Sequence, residues 1–388
     1  MIKVFLKRNE EKRILSGHPW VFANEVSKIE GKDKNGSLVE VYSFEGRFLG
    51  KGYINYLSKI LVRIFIFDKD AVPDKDFFVL RIRAANEKRS YLGYTSYRAV
   101  FAESDDLPAL IVDRYEDALS VQFLSLGMDK NKDIIVEALK EVFNPKSIYE
   151  RSDSPVREKE GLPVVKGLLW GEEVERVVFD ENGVKMVADL KNGQKTGYFL
   201  DQKENRLAIR RYCKDKTVLD CFCNSGGFSI NAAKGGAKSV TAVDISQTAL
   251  DDVKECAKLN GFENIVTEKA DVFELLRRYK AENKTFDVII LDPPAFAKSA
   301  NDTANAVKGY KDINVLALKL LNKNGVLVSS SCSHHVGFND FFKMLTAAAK
   351  ESGKRVECLE IKTQSPDHPS LISAEETLYL KFFILRIL

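Results

Sequence analysis

The spacing of apolar residues divides the chain into three regions with different periodicities. Residues 1–70 contain short alternating segments separated by Gly, Asn and Asp, which is typical of a small β-barrel domain. A Pro-containing connector follows. After it, apolar residues recur at helical spacing and strand-like segments come next, which indicates an α+β region. From about residue 203, short apolar strands alternate with helices, which predicts a doubly wound, Rossmann-like α/β domain with a mostly parallel sheet.

These changes predict three domains, with boundaries at 1–72, 73–185 and 186–388. A chain of 388 residues exceeds what one hydrophobic core usually organises. No apolar run is long enough to span a membrane, and the first residues do not resemble a signal peptide. The six cysteines contain no CxxC pair and fit a reducing compartment, so we expect a cytoplasmic protein without membrane association.

Candidate binding residues follow the strands of the last region, where a parallel sheet binds its ligands. LDCFCNSGGFS ends a strand at Asp220 and continues into a loop with Gly226 and Gly227, whose backbone can approach a ligand closely. Asp244 ends the next strand, where a carboxylate can accept both ribose hydroxyls, and Asp271 follows the third, within reach of an adenine amino group. Each feature alone could be a turn or a helix N-cap. Their succession favours a cofactor site.

The segment FDVIILDPPAFAKS carries a second kind of feature. Its strand runs into Asp292, Pro293 and Pro294, and the two prolines fix the backbone after the acid. Phe296 could stack on a base, and Lys298 could meet a phosphate. We interpret this loop as a substrate wall, with a Pro-rich turn after a core strand as the alternative.

In this order the motifs resemble a class I S-adenosylmethionine-dependent methyltransferase. GHPWVF, DLPALIVDRY, GQKTGYFLDQKENR and SCSHH extend the resemblance to nearly the whole chain. Together they resemble the RNA cytosine-5 methyltransferases that carry an N-terminal PUA domain and act on large-subunit (23S) ribosomal RNA. The family relation implies ribosomal RNA as the partner and suggests a homodimer. The net charge of +3 adds little to either expectation.

The resemblance also implies a set of site residues. S-adenosylmethionine would be bound by the strand-end motifs, through Asp220, Asn224, Gly226, Gly227, Phe228, Asp244, Ile245, Asp271 and Val272, with Phe199 and Gln202 as lesser contacts. The substrate would meet the loop residues Pro293, Pro294, Phe296 and Lys298. One departure is the loop Cys221–Ser225, where the family usually has a Tyr-Thr pair, so the side-chain contacts at 224 and 225 are less well supported.

Cys332 lies in the segment SSSCSHH, where a cysteine can be a metal ligand, a nucleophile or a buried spacer. It follows a buried strand near the same sheet edge as Asp292. Methylation of cytosine at carbon 5 needs a thiolate that adds to carbon 6, and an acid that assists at N3. We therefore expect Cys332 as the nucleophile and Asp292 as the assisting acid, and we expect no metal at His334 and His335.

Two other functions fit parts of the pattern. An Asp-Pro-Pro-aromatic loop also suits an RNA methyltransferase that acts on an exocyclic amine and needs no thiolate. A non-catalytic RNA-binding assembly factor could keep the same fold, although the acids Asp220, Asp244 and Asp271 disfavour it. Replacement of Cys332 separates the first alternative from cytosine-5 methylation, and binding of S-adenosylmethionine tests the second.

Overall fold

The computed structural model describes residues 1–32, 34–296 and 302–388 and divides into two compact units. The first unit comprises Met1–Phe179, Ala188–Leu200 and Pro366–Thr377. The second comprises Asp180–Val187, Asp201–Ser365 and Leu378–Leu388. The division of the chain into three domains at residues 72 and 185 stays a prediction.

The first unit begins with a six-stranded sheet in the order β2-β6-β5-β4-β1-β3. Its elements are β1 (Ile2–Leu6), α1 (Glu11–Leu15), β2 (Trp20–Phe22), β3 (Val26–Glu30), β4 (Leu38–Tyr42), β5 (Phe48–Ile54) and β6 (Ile60–Ile66). Alternate residues of the strands point inwards, so that Val4, Val39, Val41 and Ile64 share one apolar core. The alternation that predicted this domain therefore has its cause in a sheet with one face packed into this apolar core.

A five-stranded sheet in the order β11-β10-β9-β8-β7 completes most of the first unit. Its elements are α2 (Lys75–Glu87), β7 (Ser96–Phe101), β8 (Leu110–Tyr115), β9 (Ala118–Phe123), α3 (Leu126–Lys130), α4 (Lys132–Phe143), β10 (Ser147–Ser152) and β11 (Val165–Gly171). Helix α2 starts at the capping residue Asp74, which accepts a hydrogen bond from the backbone N–H of Phe77. It packs Phe78 and Ile82 onto the sheet.

The hairpin of β12 (Arg176–Glu181) and β13 (Val184–Asp189) precedes the main sheet of the second unit. That sheet contains β14 (Thr217–Cys221), β15 (Ser239–Asp244), β16 (Ile265–Lys269), β17 (Phe286–Leu291), β18 (Leu321–Ser331), β19 (Val356–Lys362) and β20 (Lys381–Ile387). The helices are α5 (Lys203–Ile209), α6 (Gly227–Lys234), α7 (Gln247–Asn260), α8 (Val272–Ala281), α9 (Thr303–Leu320) and α10 (Phe338–Ser352). The strand order is β16-β15-β14-β17-β18-β20-β19.

The sheet of the second unit is covered on both faces, which explains its continuous apolar strands. Along β17, Val288 and Ile290 pack into one apolar cluster, while Ile289 and Leu291 pack into the cluster on the opposite face. The strands from β16 to β18 are parallel, and β20 runs antiparallel to β18 and β19. The predicted fold class is confirmed: a small β domain and an α+β region are followed by a doubly wound sheet.

Some details differ from the sequence-based expectations. Strands β7 and β11 were not predicted, because glycine or charged residues interrupt their alternation. Along the described parts of the chain, no helix is both long and apolar enough to cross a membrane. The cytoplasmic location stays a prediction.

A buried ion pair within the second unit gives a test of its packing. Arg206 donates from Nε and Nη2 to the two carboxylate oxygens of Glu181, at 2.6 and 2.7 Å, and the side chains are 4% and 0% exposed. Arg206→Met removes the cation that binds both oxygens of the buried Glu181 carboxylate. We expect the free energy of unfolding to fall by about 3–5 kcal/mol, measured by urea denaturation with circular dichroism.

The exposed pair Arg386–Glu357 serves as the matched control, since its side chains are 46% and 36% exposed. Arg386→Met should lower the free energy of unfolding by about 0–1 kcal/mol, because water screens this pair. Equal losses in the two variants would contradict the structural role of the buried pair.

Candidate active site

The pairing of parallel strands brings the predicted site residues to one edge of the sheet. Asp220 on β14 lies beside Ala242 of β15 and Ile290 of β17. Leu291 of β17 lies beside Ser329 of β18. Asp292 therefore follows β17 next to the end of β18, and Cys332 follows β18 directly. This edge is where doubly wound sheets bind their ligands.

The loop between β14 and α6 has an unusual backbone. Phe222, Asn224 and Gly226 have φ angles of 61°, 48° and 83°, all in the left-handed region. A Cβ atom on Gly226 would lie 2.9 Å from Cγ2 of Val253, so this position needs glycine for space as well as for its backbone angle. Asn224 donates its backbone N–H to Oδ2 of Asp244 at 3.0 Å. The loop is thereby held against the end of the next strand.

Asp220 is fully buried below this loop. Its Oδ2 accepts a hydrogen bond from Ser229 Oγ at 2.6 Å, whereas Oδ1 has no hydrogen-bond partner among the described residues. Burial raises the pKa of Asp220 to about 7, and the nearby carboxylates of Asp292 and Asp244 add to the rise. A buried acceptor without a donor is costly. The unpaired oxygen and the glycine loop fit a ligand that brings its own hydrogen-bond donors.

The next two acids differ in their surroundings. Asp244 accepts a second hydrogen bond at Oδ1 from the backbone N–H of Ser246, and Ile245 between them is 68% exposed. Asp271 accepts from the N–H of Glu274 at 3.1 Å and is the N-cap of α8. Asp271 thus has the capping role that the sequence left open as an alternative. Its contact with an adenine ring stays a prediction.

Three other predicted cofactor contacts have different positions in the fold. Phe228 stacks on Phe382 in the core, with ring centroids 5.9 Å apart, and Val272 is buried at the start of α8. Only their backbones are therefore available to a ligand at the loop. Phe199 belongs to the first unit, where Lys195 Nζ lies 4.7 Å from the centre of its ring. Its contact with the cofactor stays a prediction.

Asp292 is held by a network of amide and hydroxyl groups. Gln202 Nε2 donates to Asp292 Oδ1 at 3.0 Å, and Ser330 Oγ donates to the same oxygen. Asn205 Nδ2 donates to Gln202 Oε1 at 2.6 Å and so fixes which end of the Gln202 amide faces Asp292. No described residue forms a hydrogen bond with Oδ2. Burial is the main cause that raises the pKa of Asp292 to about 6.

The loop after Asp292 is described as far as Phe296. Pro293 is buried and Pro294 is exposed. The ring of Phe296 lies 4.6 Å from that of Tyr310 and 6.0 Å from that of Phe273, measured between centroids. These contacts fix the ring partly against the core. Lys298 lies outside the described residues.

Cys332 differs from the other cysteines in its exposure. It is partly exposed at the end of β18, whereas four cysteines are buried, namely Cys213, Cys221, Cys223 and Cys256. Burial raises the pKa of Cys221 and of Cys223 well above the ordinary value, so both stay protonated thiols. Cys358 is exposed but lies on β19, the outer strand of the sheet. Cys332 alone among the six combines solvent access with proximity to Asp292.

The two histidines after Cys332 are exposed. The ring of His334 lies 5.4 Å from that of Tyr379. Within residues 1–32, 34–296 and 302–388, no group of three or more His, Cys, Asp or Glu side chains is arranged to bind a metal ion.

Several residues of this edge escaped the sequence-based prediction. Ser330 binds Asp292, Ser331 Oγ donates to the Tyr310 hydroxyl at 3.0 Å, and Lys381 begins strand β20 behind the Cys332 turn. Alternation along SSSCS was a usable signal, because neighbouring serines of a strand must point to opposite faces. A lysine at the first position of the apolar strand KFFILRI was a second signal.

Comparisons with known proteins agree with this architecture. Residues 4–67 match the model of the PUA-like domain, and residues 164–380 match the model of S-adenosylmethionine-dependent methyltransferases. A relative from Aeromonas salmonicida, "Ribosomal RNA large subunit methyltransferase I", is 44% identical over 99% of this chain and 98% of its own.

Two solved structures show the same fold over 100% of both chains. One is described as an S-adenosylmethionine-dependent methyltransferase from Streptococcus mutans, with a TM-score of 0.86 and 24% identity. The other, SMU.776, is described as a methyltransferase complexed with SAH, with a TM-score of 0.87 and 24% identity. This chain therefore belongs to the family of S-adenosylmethionine-dependent methyltransferases, carries an N-terminal PUA-like domain and has S-adenosylmethionine as its cofactor.

Proposed function

We propose that this protein methylates carbon 5 of a cytosine in large-subunit (23S) ribosomal RNA. The name of the relative that is 44% identical supports large-subunit ribosomal RNA as the substrate. The cytosine-5 assignment depends on one observation: Cys332 and Asp292 follow neighbouring parallel strands, so a thiol and a carboxyl group meet at one sheet edge. An amino-group methyltransferase has no use for that thiol.

The residues around the glycine loop are proposed to bind S-adenosylmethionine. Asp244 would accept the ribose hydroxyls, and the backbone at Gly226 and Gly227 would lie against the cofactor. The unpaired Oδ1 of Asp220 would accept from its ammonium group, while Asp271 would lie near the adenine. When bound there, the cofactor supplies an electrophilic methyl group.

Cys332 is proposed to make the base reactive. Carbon 5 of cytosine is a poor nucleophile, but addition of the Cys332 thiolate to carbon 6 gives the ring enamine character at carbon 5. Loss of the carbon 5 proton after methylation then allows the thiolate to leave by β-elimination. The thiol must therefore be able to ionise, and the four buried cysteines are unsuited to this step.

Asp292 is proposed to stabilise the adduct at N3 of the ring. Gln202 and Ser330 both donate to Oδ1, so a proton on Asp292 belongs on Oδ2. The raised pKa, about 6, lets this carboxyl group be protonated near neutral pH and donate to N3 as charge develops there. In this account Gln202 acts through Asp292 and not as a cofactor contact.

The remaining parts of the proposal concern partners. We propose that the PUA-like domain contributes to RNA binding, since its matched region 4–67 is separate from the methyltransferase region. The homodimer suggested by the family relation stays a prediction.

Cys332→Ala should abolish formation of 5-methylcytidine, because the other thiols at this edge of the sheet, Cys221 and Cys223, are buried. Methyl transfer from labelled S-adenosylmethionine to large-subunit ribosomal RNA from a deletion strain, followed by nucleoside mass spectrometry, measures the effect. Cys358→Ala, which removes the exposed thiol of β19, should leave the rate unchanged. Full activity of Cys332→Ala would instead support methylation of an exocyclic amine.

Asp292→Asn should lower the methylation rate by roughly 10²–10⁴-fold, because the amide cannot transfer a proton. The same change should stabilise the fold at pH 7. The folded-state pKa of about 6 lies above the unfolded value, so the wild type loses stability as pH rises from about 4 through 6.

Urea denaturation across this pH range measures the second effect of Asp292→Asn. We expect a gain of about 1–2 kcal/mol in the free energy of unfolding at pH 7 that disappears near pH 4. A variant less stable than wild type at pH 7 would contradict the account of Asp292 as a carboxyl group strained by burial.

Asp244→Ala should weaken binding of S-adenosylhomocysteine by about ten- to a hundredfold, since it removes a charged acceptor. Isothermal titration calorimetry measures the affinity. Asp251→Ala on the exposed side of α7 is the control and should bind as wild type does. Unchanged affinity of the Asp244 variant would place the ribose elsewhere.

A further inference from the structure

Lys381 is a buried lysine that the proposed reaction has not yet used. It is the first residue of β20, is 2% exposed and pairs with Ser331 in the antiparallel ladder between β18 and β20. Lysine is rarely buried without a partner. Its position directly opposite the last residue of β18 places it behind the turn that carries Cys332.

The ammonium group of Lys381 is bound to the backbone on two sides. Nζ donates to the carbonyl oxygen of Ser333 at 2.6 Å and to that of Tyr379 at 2.8 Å. Both partners are acceptors, so Lys381 serves them as a donor and not as a base. Because Ser333 follows Cys332 directly, the first of these bonds fixes the backbone next to the thiol.

A buried ammonium group also needs a compensating charge. Burial lowers the pKa of Lys381 to about 8, and the charge of Cys332 opposes this fall. Two carboxylates of neighbouring segments bind other donors: Asp292 accepts from Gln202 and Ser330, and Asp201 accepts from the Tyr379 hydroxyl at 2.6 Å. The Cys332 thiolate is the negative charge that acts on the ammonium group.

The other titratable groups near the thiol do not replace Lys381. Tyr310 on α9 faces both Cys332 and Asp292, and burial raises its pKa to about 12, so it stays neutral. Asp292 at the end of β17 is an acid and would oppose a thiolate when ionised. His334 is exposed beside Tyr379.

We propose that Lys381 is a positioning residue for Cys332, which fixes the turn around the thiol and is the buried counter-cation of its thiolate. When the thiol ionises, its proton goes to solvent and the ammonium group keeps its own three. The inference rests on the proposed function, in which Cys332 attacks the base. The inference adds that the ammonium group of Lys381 supplies the positive charge that favours the thiolate form of Cys332.

Lys381→Met tests the proposal, since methionine fills a similar volume without charge or donor. The rate at which iodoacetamide alkylates Cys332 is followed against pH, with the labelled peptide identified by mass spectrometry. We expect the alkylation curve to move to higher pH and the rate at pH 7.5 to fall by about tenfold, as a smaller fraction of the thiol ionises. Lys323→Met, at an exposed position of the partner strand β18, should leave the curve unchanged.

Two further measurements keep the proposal testable if Lys381→Met does not fold. Lys381→Arg keeps the positive charge and should retain more of the Cys332 reactivity than any neutral variant. In the wild type itself, Cys332 should be alkylated at lower pH than Cys358, the exposed thiol on the outer strand β19. A curve for Cys332 at or above that of Cys358, or an unshifted curve in folded Lys381→Met, would overturn the proposal.

Methylation kinetics separate this inference from the proposed function. In Lys381→Met, kcat should fall and its pH optimum should rise while KM for the RNA stays near the wild-type value. An inactive Cys332→Ala together with an unshifted alkylation curve in Lys381→Met would leave cytosine-5 methylation standing and remove Lys381 from it. A shifted alkylation curve in Lys381→Met together with a fully active Cys332→Ala would leave the effect of Lys381 on the thiol standing and remove cytosine-5 methylation.

Discussion

The parallel pairing of β17 with β18 is the contact on which the whole site depends. Both strands end at one edge of the sheet, so Asp292 and Cys332, which are 40 positions apart in the chain, lie beside each other. Parallel strands require a crossover, and α9 with its packing on α8 and α10 supplies it. The antiparallel strand β20 then adds Lys381 behind the end of β18. The carboxyl group of Asp292, the thiol of Cys332 and the ammonium group of Lys381 thus come to one edge of the sheet through the pairing of β17, β18 and β20.

The second constraint is electrostatic. Asp220 is buried and Asp292 is partly buried, their pKa values are raised to about 7 and about 6, and Oδ1 of Asp220 has no donor among the described residues. A protein selected only for stability would not keep such carboxyl groups in its interior. The free-energy cost of these carboxyl groups is understandable if the cofactor and the substrate nucleobase supply the missing hydrogen-bond donors. The same edge holds Lys381, a buried cation, so charges of both signs are arranged before any ligand binds.

The sequence alone predicted much of this arrangement. Alternation identified the first sheet, and the alternation of helices and strands after residue 203 identified the doubly wound domain, because both patterns follow from which faces are buried. Asp220, Asp244 and Asp292 could be placed at strand ends, because an acid there is visible as a change from apolar to charged residues. Partners that come from elsewhere in the chain were not visible. Gln202 binds Asp292, and its contact with the cofactor stays a prediction. The contacts of Ser330 and Lys381 depend on strand register and on an antiparallel pairing, for which the serine alternation and the lysine of KFFILRI are only indirect signals.

Trapping the covalent adduct tests the central claim most directly. In RNA that contains 5-fluorocytidine, the fluorine at carbon 5 cannot leave as a proton does, so the enzyme should remain bound through carbon 6 of the base. Incubation of the wild-type protein with S-adenosylmethionine and such RNA should give a complex that survives denaturing electrophoresis and maps by mass spectrometry to Cys332. Methylation of unmodified RNA without any such complex, or a complex joined to another residue, would contradict the account.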